Sequence, residues 1–171
     1  MGRFRDWRTG TRYPDEGVEP LARSHVEAAL LALNGPEKPY RVRTALAEEK
    51  ADVVAEWHML EPGWGSGMGR QQVERTFKFR MRLDGGAHEV RVCADVRETT
   101  RAGDPPTRVV ERRHGKGPRT RVKSWRGSYK KGQDGRRRRV DDFRFDSNDL
   151  RDPLQEVVLT SGWTWRGTHK P

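Results

Sequence analysis

Two neighbouring runs of alternating apolar and polar residues constrain the fold of this chain more than any other feature. The first, FKFRMRLD at 77–84, leads through the turn Asp84-Gly85-Gly86 into the second, EVRVCADVR at 89–97. Successive side chains of a strand point to opposite faces, so the pattern predicts an antiparallel hairpin with one dry face and one solvated face. Such a hairpin needs further apolar elements to cover its dry face.

More strands are predicted on both sides of the hairpin. Residues 40–44 (YRVRT) alternate in the same way. Residues 45–60 are ambiguous, because their Ala, Glu and Lys favour helix while the alternation from Val53 favours strand, and we predict strand for the second half. The later expectations are a glycine-rich loop at 63–69, turns at 103–106 and 114–118, a short strand at Val109 and Val110, and strands at 122–125 and 140–145 separated by a polar loop at 130–139.

Two helices are predicted, one on each side of these strands. The first starts at Pro20 or at a capping box of Ser24 and Glu27, and it ends at Asn34-Gly35-Pro36; its apolar stripe is Val26, Ala29, Leu30 and Leu33. The second has Asp152 as its cap and Pro153 as its first residue, and it ends at Gly162; its apolar stripe is Leu154, Val157 and Val158. Trp163 and Trp165 follow as an aromatic plug.

These elements predict the α+β class: an antiparallel β-meander of six to eight strands, forming an open sheet or partial barrel, with one N-terminal and one C-terminal helix. A length of 171 residues fits a single domain, assigned to residues 19–168. Residues 1–18 are predicted to be a flexible basic tail, in which Phe4, Trp7 and Tyr13 either pack onto the domain or serve as stacking surfaces. A single cysteine and no apolar run of membrane-spanning length favour a cytoplasmic protein.

The positive charge of the chain is concentrated in residues 112–139. That segment has thirteen Lys or Arg and one acid, a net charge of +12, whereas the whole chain has 35 basic and 25 acidic residues and a net charge of +10. The basicity is therefore local. Dense positive charge attracts polyanions, of which nucleic acid is a common one, although runs of charge are also common on solvated loops.

Within this segment we predict a nucleic-acid-binding hairpin. Cationic side chains would contact the phosphate backbone, and two rings would offer stacking or cation–π surfaces. The predicted residues are Arg119, Arg121, Lys123, Trp125, Arg126, Tyr129, Lys130, Lys131, Arg136, Arg137, Arg138 and Arg139. No helix-turn-helix, zinc finger or RNP-type pattern supports sequence-specific reading.

Catalytic, cofactor and metal motifs are weak in this sequence, and we predict a non-enzymatic protein without cofactor or metal. The acids Asp141, Asp142, Asp146, Asp149 and Asp152 are expected to cap a helix and screen the Arg run, because the calcium-loop pattern is missing. Asp15 with Glu48-Glu49-Lys50 loosely resembles the motif of a nuclease superfamily, but a helix is predicted between the two elements. Cys93 lies in a strand pattern and is expected to be inert.

Several short segments together resemble a known family: ADVVAEW (51–57), FKFRMRLD (77–84), EVR (89–91), DLRDPLQ (149–155) and GWTW (162–165). They are similar to a family of uncharacterised small proteins of high-GC Gram-positive bacteria, over residues 51–165. That resemblance implies no catalytic residues. A fainter resemblance, to the tubby-like and scramblase-like barrels, implies a meander of strands that wraps an apolar C-terminal helix.

Binding of a nucleic acid backbone is thus the favoured function, with lipid a weaker candidate. One alternative is a small-molecule or lipid-headgroup site, which requires an apolar pocket lined by Trp57, Phe77, Phe79 and Trp163. The other is a protein-interaction module with an acidic partner, which requires an exposed aromatic patch at Trp64, Trp163 or Trp165.

Overall fold

The predicted central hairpin lies in the middle of an antiparallel sheet. The computed structural model describes residues 2–62, 71–102, 108–118 and 123–171. For 2–5, 60–62, 71–73, 102, 108–116, 123–130 and 137–144 it describes the backbone alone. The expected loop at 63–69 and turn at 103–106 lie outside these residues.

The strands are β1 (Arg41–Thr44), β2 (Val53–Pro62), β3 (Gln71–Asp84), β4 (Glu89–Ala102), β5 (Arg108–Gly117), β6 (Lys123–Lys131), β7 (Arg137–Asp146) and β8 (Thr164–Gly167). The main sheet has the order β1-β2-β3-β4-β5, all neighbours being antiparallel, and β8 pairs with β4 in parallel. In the described residues, β6 and β7 form a separate two-stranded sheet. The main sheet is open, which agrees with the open-sheet alternative of the prediction rather than with the partial barrel.

The hairpin register places its apolar residues on one face, with Phe77 opposite Val96 and Phe79 opposite Ala94. The side of β4 that faces away from β3 pairs with two strands: β8 along residues 89–92 and β5 along residues 94–102. The opposite, charged face is only partly solvated, since Cys93 and Asp95 are buried there. The prediction of a dry face is therefore confirmed, while the second face is less exposed than the alternation indicated.

The helices are α1 (Gly2–Thr9), α2 (Arg23–Leu31) and α3 (Asn148–Thr160), and a short 3₁₀ turn spans Ala47–Glu49. Helices α2 and α3 cover the apolar face of the sheet. The core between them consists of buried side chains from both layers, including Val26, Leu30, Val53, Phe77, Phe79, Met81, Val92, Leu150, Leu154, Val158 and Trp163. On α3, Asp149 and Glu156 are exposed, so the open sheet does not enclose this helix as the barrel resemblance implied.

Both predicted helices form, but their starts differ from the prediction. Helix α2 begins after Ala22, without a side-chain cap, so Ser24 lies inside the helix and its capping box does not form. Helix α3 begins one turn before Asp152: its first backbone N–H, of Asn148, donates to the Asp146 carboxylate at 3.1 Å. Pro153 is consequently internal and removes one helical hydrogen bond.

Two predicted non-strand segments are in fact strand. Residues 114–117, expected to turn, continue β5, because Gly115 and Gly117 pair with Val96 and Ala94 of β4 beside a bulge. Half of the expected polar loop at 130–139 belongs to β6 and β7, and residues 132–136 lie outside the strands. In both segments, backbone pairing overrides a composition typical of loops: residues 114–117 pair with β4, and the ends of β6 and β7 pair with each other.

The N-terminal segment contacts the domain through its backbone. Its charges and glycines indicate no helix, yet α1 forms, and Arg12 exchanges two backbone hydrogen bonds with Trp165, at 2.8 and 2.9 Å. A Cβ at Gly167 would collide with the Thr9 carbonyl oxygen, so this close approach requires glycine. Trp7 and Tyr13 are 66% and 56% exposed, so burial of these rings does not hold the segment. Its flexibility and the boundary at residue 18 stay predictions.

Candidate functional site

The basic segment 112–139 is divided between two sheets. Its first part lies on β5 in the main sheet, where Arg112 is opposite Glu98 and Lys116 is opposite Asp95 of β4. Opposite charges directly across a strand pair stabilise it. Arg112 and Lys116 are therefore positioned beside acids of the protein itself, whereas Arg113 is opposite another cation, Arg97. The greater part of the surplus positive charge lies beyond this strand.

The rest of the segment forms a feature that we call the basic ribbon: β6, β7 and the turn of residues 132–136 between them. Its strands are antiparallel, with a register shift between Arg126 and Gly127. Beyond that shift the pairs toward the turn are Tyr129 with Arg139, Lys130 with Arg138, and Lys131 with Arg137. Residues 130–139 have six cations and one acid. Two successive cross-strand pairs thus consist entirely of cations.

The turn of the basic ribbon is tight and solvent-exposed. The Gly132 N–H donates to the Arg136 carbonyl at 2.8 Å, and the Gly135 N–H donates to the Gly132 carbonyl at 3.0 Å. Gly135 has φ of 75°, a conformation that favours glycine. The Asp134 carboxylate accepts the Arg136 backbone N–H at 3.2 Å. Lys131 and Arg136 are exposed at either end of this turn.

The predicted binding residues are unequally described. Lys131 and Arg136 are exposed side chains. Arg119 and Arg121 lie outside the described residues, and for the others the structure gives the backbone position on the ribbon alone: Lys123, Trp125, Arg126, Tyr129, Lys130, Arg137, Arg138 and Arg139. The ribbon therefore brings together, on two paired strands and the turn between them, ten of the twelve predicted residues. Stacking by Trp125 and Tyr129 stays a prediction.

The base of the ribbon is anchored in the core by Phe145, near the end of β7. This ring is buried and packs edge-on against Trp57, with 4.7 Å between ring centroids, and at 5.6 Å from Phe77. Helix α3 begins two residues after β7 ends. The ribbon thus joins the apolar side of the main sheet, and its turn is at the far end of both strands.

A second group of charges, which the sequence reading missed, lies on the opposite face of the main sheet. The Arg43 guanidinium contacts both carboxylate oxygens of Glu49, at 2.7 and 2.8 Å, and both of Glu56, at 3.1 Å. The Lys78 ammonium lies 3.3 Å from each of the same two acids. The available signal was the strand alternation, which places Arg43, Glu56 and Lys78 on one face of adjacent strands.

This network shifts the pKa of its members. Hydrogen bonds from Arg43, opposed by burial, lower the pKa of Glu49 from 4.5 to about 2. Burial raises the pKa of Glu56, but the hydrogen bonds and charges of Arg43 and Lys78 outweigh it, so the net direction is downward. Both acids are therefore held as carboxylates at neutral pH.

The two alternative sites receive little support from the packing. The residues expected to line an apolar pocket belong to the core: Phe77 and Phe79 pack edge-on at 4.9 Å, and Trp163 is fully buried. Trp163 and Trp165 are buried, so the expectation of an exposed aromatic patch at these two residues is wrong. Trp64 lies outside the described residues.

The weak catalytic and metal candidates also have structural positions. The Glu49 carboxylate is engaged by Arg43, while Asp15 is exposed on the N-terminal segment. Cys93 is buried, and its thiol donates to the His169 carbonyl at 3.3 Å. Asp146 accepts the Asn148 backbone N–H at the start of α3, although the N-cap position itself is Ser147. In the described part of the chain, no three His, Cys, Asp or Glu side chains are grouped closely enough to hold a metal ion.

None of the described helices has the length and apolar character needed to cross a membrane. Comparisons of this chain with models of protein families, with curated proteins and with solved structures found no match.

Proposed function

We propose that the basic ribbon binds a polyanion, and that this polyanion is the phosphate backbone of a nucleic acid. The supporting observation is its cross-strand register, in which Lys130 is opposite Arg138 and Lys131 is opposite Arg137. Like charges directly opposite each other destabilise an antiparallel pair. A bound polyanion would offset this repulsion.

The form of the ribbon supports the same proposal. A two-stranded antiparallel ribbon has the dimensions to enter the major groove of B-DNA. Neutralising phosphates releases counterions and makes the affinity depend steeply on salt. Because phosphate contacts position a protein without reading sequence, we infer binding with little sequence preference. Trp125 and Tyr129 are the proposed stacking surfaces for unpaired bases.

The test compares two variants that lose the same charge. In the ribbon variant, Arg136, Arg137, Arg138 and Arg139 are all replaced by Gln. In the control variant, four exposed cations outside the ribbon are replaced by Gln: Lys38, Arg41, Arg82 and Lys170. Fluorescence anisotropy with a labelled DNA duplex and a labelled single-stranded RNA measures the affinity at several salt concentrations. Far-UV circular dichroism and thermal unfolding check that both variants fold.

For duplex DNA, we expect log Kd of the wild type to rise with log salt by roughly 0.9 per phosphate contact. The ribbon variant should bind more weakly and lose roughly that slope for each contact removed, whereas the control variant should keep the wild-type slope. Affinity that does not change with salt would refute the proposal. Equal weakening of both variants would refute the role of the ribbon, since net charge alone would then explain binding.

A further inference from the structure

A cleft of about 280 Å³ lies on the charged face of the main sheet, on the side opposite the base of the basic ribbon. The 3₁₀ turn lies over it, because the Glu49 backbone carbonyl accepts a hydrogen bond from Arg80 of β3 at 3.2 Å. We call it the ionic cleft. Its charged lining residues are Arg43, Glu48, Glu49, Lys78, Arg80, Asp95 and Arg97.

Two of the four cations in the ionic cleft are already paired. Arg43 and Lys78 share the carboxylates of Glu49 and Glu56, as described above. This group of two cations and two acids has no net charge, and each of its members is paired with another member. It therefore offers little net attraction to an outside ligand.

The other two cations have no carboxylate partner among the described residues. Arg80 of β3 donates to a neutral carbonyl and approaches the Cys93 sulfur at 3.9 Å, and its buried Nε has no hydrogen-bond acceptor there. Arg97 of β4 lines the same cleft and is exposed. A partly buried guanidinium usually has hydrogen-bonded, charged partners. Because Arg80 has no carboxylate partner among the described residues, its remaining donors are available for an anion.

Asp95 also lines the cleft, and its carboxylate is buried. In the strand register it is opposite Lys78 on β3 and Lys116 on β5. Lys116 does not belong to the Arg43 network, and its position beside Asp95 limits the repulsion that this acid exerts on an anion. Glu48, the other acid of the lining outside that network, is exposed, so solvent screens its charge. The anionic group of a ligand is therefore directed toward Arg80 and Arg97.

We propose that the ionic cleft binds a compact oxyanion, a carboxylate or a phosphate group, through the guanidiniums of Arg80 and Arg97. The planar donor fork of arginine matches both groups. The cleft volume is at or below the lower end of small-molecule pockets, so the ligand is small rather than polymeric. This inference is independent of the ribbon, which joins the other face of the sheet.

The test is isothermal titration calorimetry with inorganic phosphate and, separately, with succinate, at constant ionic strength set by chloride. The two cleft variants are Arg80→Gln and Arg97→Gln. The matched control is Arg82→Gln, an exposed arginine on the same strand and face as Arg80 but outside the cleft lining. The four-residue ribbon variant is titrated as a second control. Arg97 is exposed, so its variant keeps the test valid if Arg80→Gln does not fold.

We expect one-to-one binding of at least one probe, and the probe that binds identifies the ligand as a phosphate or a carboxylate. Each cleft variant should bind it roughly tenfold more weakly or worse, because each loses a charge-assisted hydrogen bond. Arg82→Gln and the ribbon variant should bind as the wild type does.

Failure of the wild type to bind either probe would overturn the proposal. So would a loss of binding in Arg82→Gln equal to that in the cleft variants, or a loss confined to the ribbon variant. The last result would leave anion binding to the ribbon and would support the function proposed above, so the two proposals fail separately.

Discussion

Arg43 organises the charged face of the main sheet at the scale of single residues. Its guanidinium contacts two carboxylates at once, and a lysine could not reproduce this geometry because its ammonium is a point charge. Glu49 also accepts the Leu46 backbone N–H at 2.8 Å, so the same carboxylate holds the 3₁₀ turn in place. The strength of this network can be tested through the ionisation of Glu49.

Replacing Glu49 by Gln should destabilise the protein at neutral pH by about 1 to 3 kcal/mol, because a charge-assisted pair is lost. The pKa of Glu49 in the folded protein is about 2, below its ordinary value of 4.5. A lowered pKa stabilises the fold above the ordinary value, and this contribution is lost as the pH falls toward the folded value.

The stability difference between wild type and Glu49→Gln should therefore be constant above about pH 5 and shrink as the pH falls from 4.5 to about 2. Urea unfolding at a series of pH values measures it. Glu48→Gln, an exposed neighbour, is the control and should change stability by less than about 0.5 kcal/mol throughout. A difference that grows with acidity would contradict the assigned role of Glu49.

At the scale of elements, the cations of the basic ribbon have opposite effects on strand pairing and on the proposed binding of a polyanion. Its cation pairs destabilise the two strands, and the tight turn at Gly132 and Gly135 supports the same strands. Replacing one cation by an acid should improve the pairing and weaken binding together. If the cations had no role in binding, the same substitution would improve strand pairing without weakening binding.

Lys131→Glu places an acid opposite Arg137 and should stabilise the strand ends by roughly 0.2 to 1 kcal/mol. Hydrogen exchange of the Gly132 amide, which donates to Arg136, should slow by up to about fivefold. In the same variant the affinity for the DNA duplex should fall.

Lys38→Glu makes the same charge change outside the ribbon and should alter neither measurement. If Lys131→Glu slowed exchange but left the affinity unchanged, Lys131 would not contact the polyanion.

At the scale of the whole molecule, Phe145 couples the ribbon to the core. It is buried between Trp57 and Phe77, one from each of two adjacent strands of the main sheet. The residues that follow it begin α3, so the ribbon, the sheet and the helix meet there. Loss of this ring should affect all three elements.

Phe145→Ala should lower the free energy of unfolding by about 3 to 5 kcal/mol, because it removes apolar burial and leaves a cavity. Urea unfolding monitored by tryptophan fluorescence measures the change. Leu21→Ala is the control: this leucine is 47% exposed, so its loss should cost less than about 1 kcal/mol. A small effect of Phe145→Ala would mean that the ribbon base is not part of the core.

Local sequence patterns were sufficient for the elements whose faces they encode. The alternation in 77–84 and 89–97 predicted the central hairpin, because a strand of period two places its apolar residues on one face. The alternation from Val53 favoured strand over helix for β2, although Val53, Val54 and Ala55 are all buried. The stripe of Val26 and Leu30 likewise predicted the buried face of α2. The concentration of charge in 112–139 is a property of the amino-acid order itself.

The partition of that charge was decided by tertiary structure alone. Arg112 and Lys116 on β5 are opposite acids of β4, whereas the cations at the end of the ribbon are opposite one another. The register of β5 on β4 depends on contacts that the local pattern of either strand does not specify. Tertiary structure also decided the unpartnered Nε of Arg80, the start of α3 and the pairing of Arg12 with Trp165. Sequence by itself thus determined which residues are apolar, which are charged and with what period they recur. Only the folded chain decided which charges meet a partner, because ion pairs form between strands whose alignment no single segment specifies.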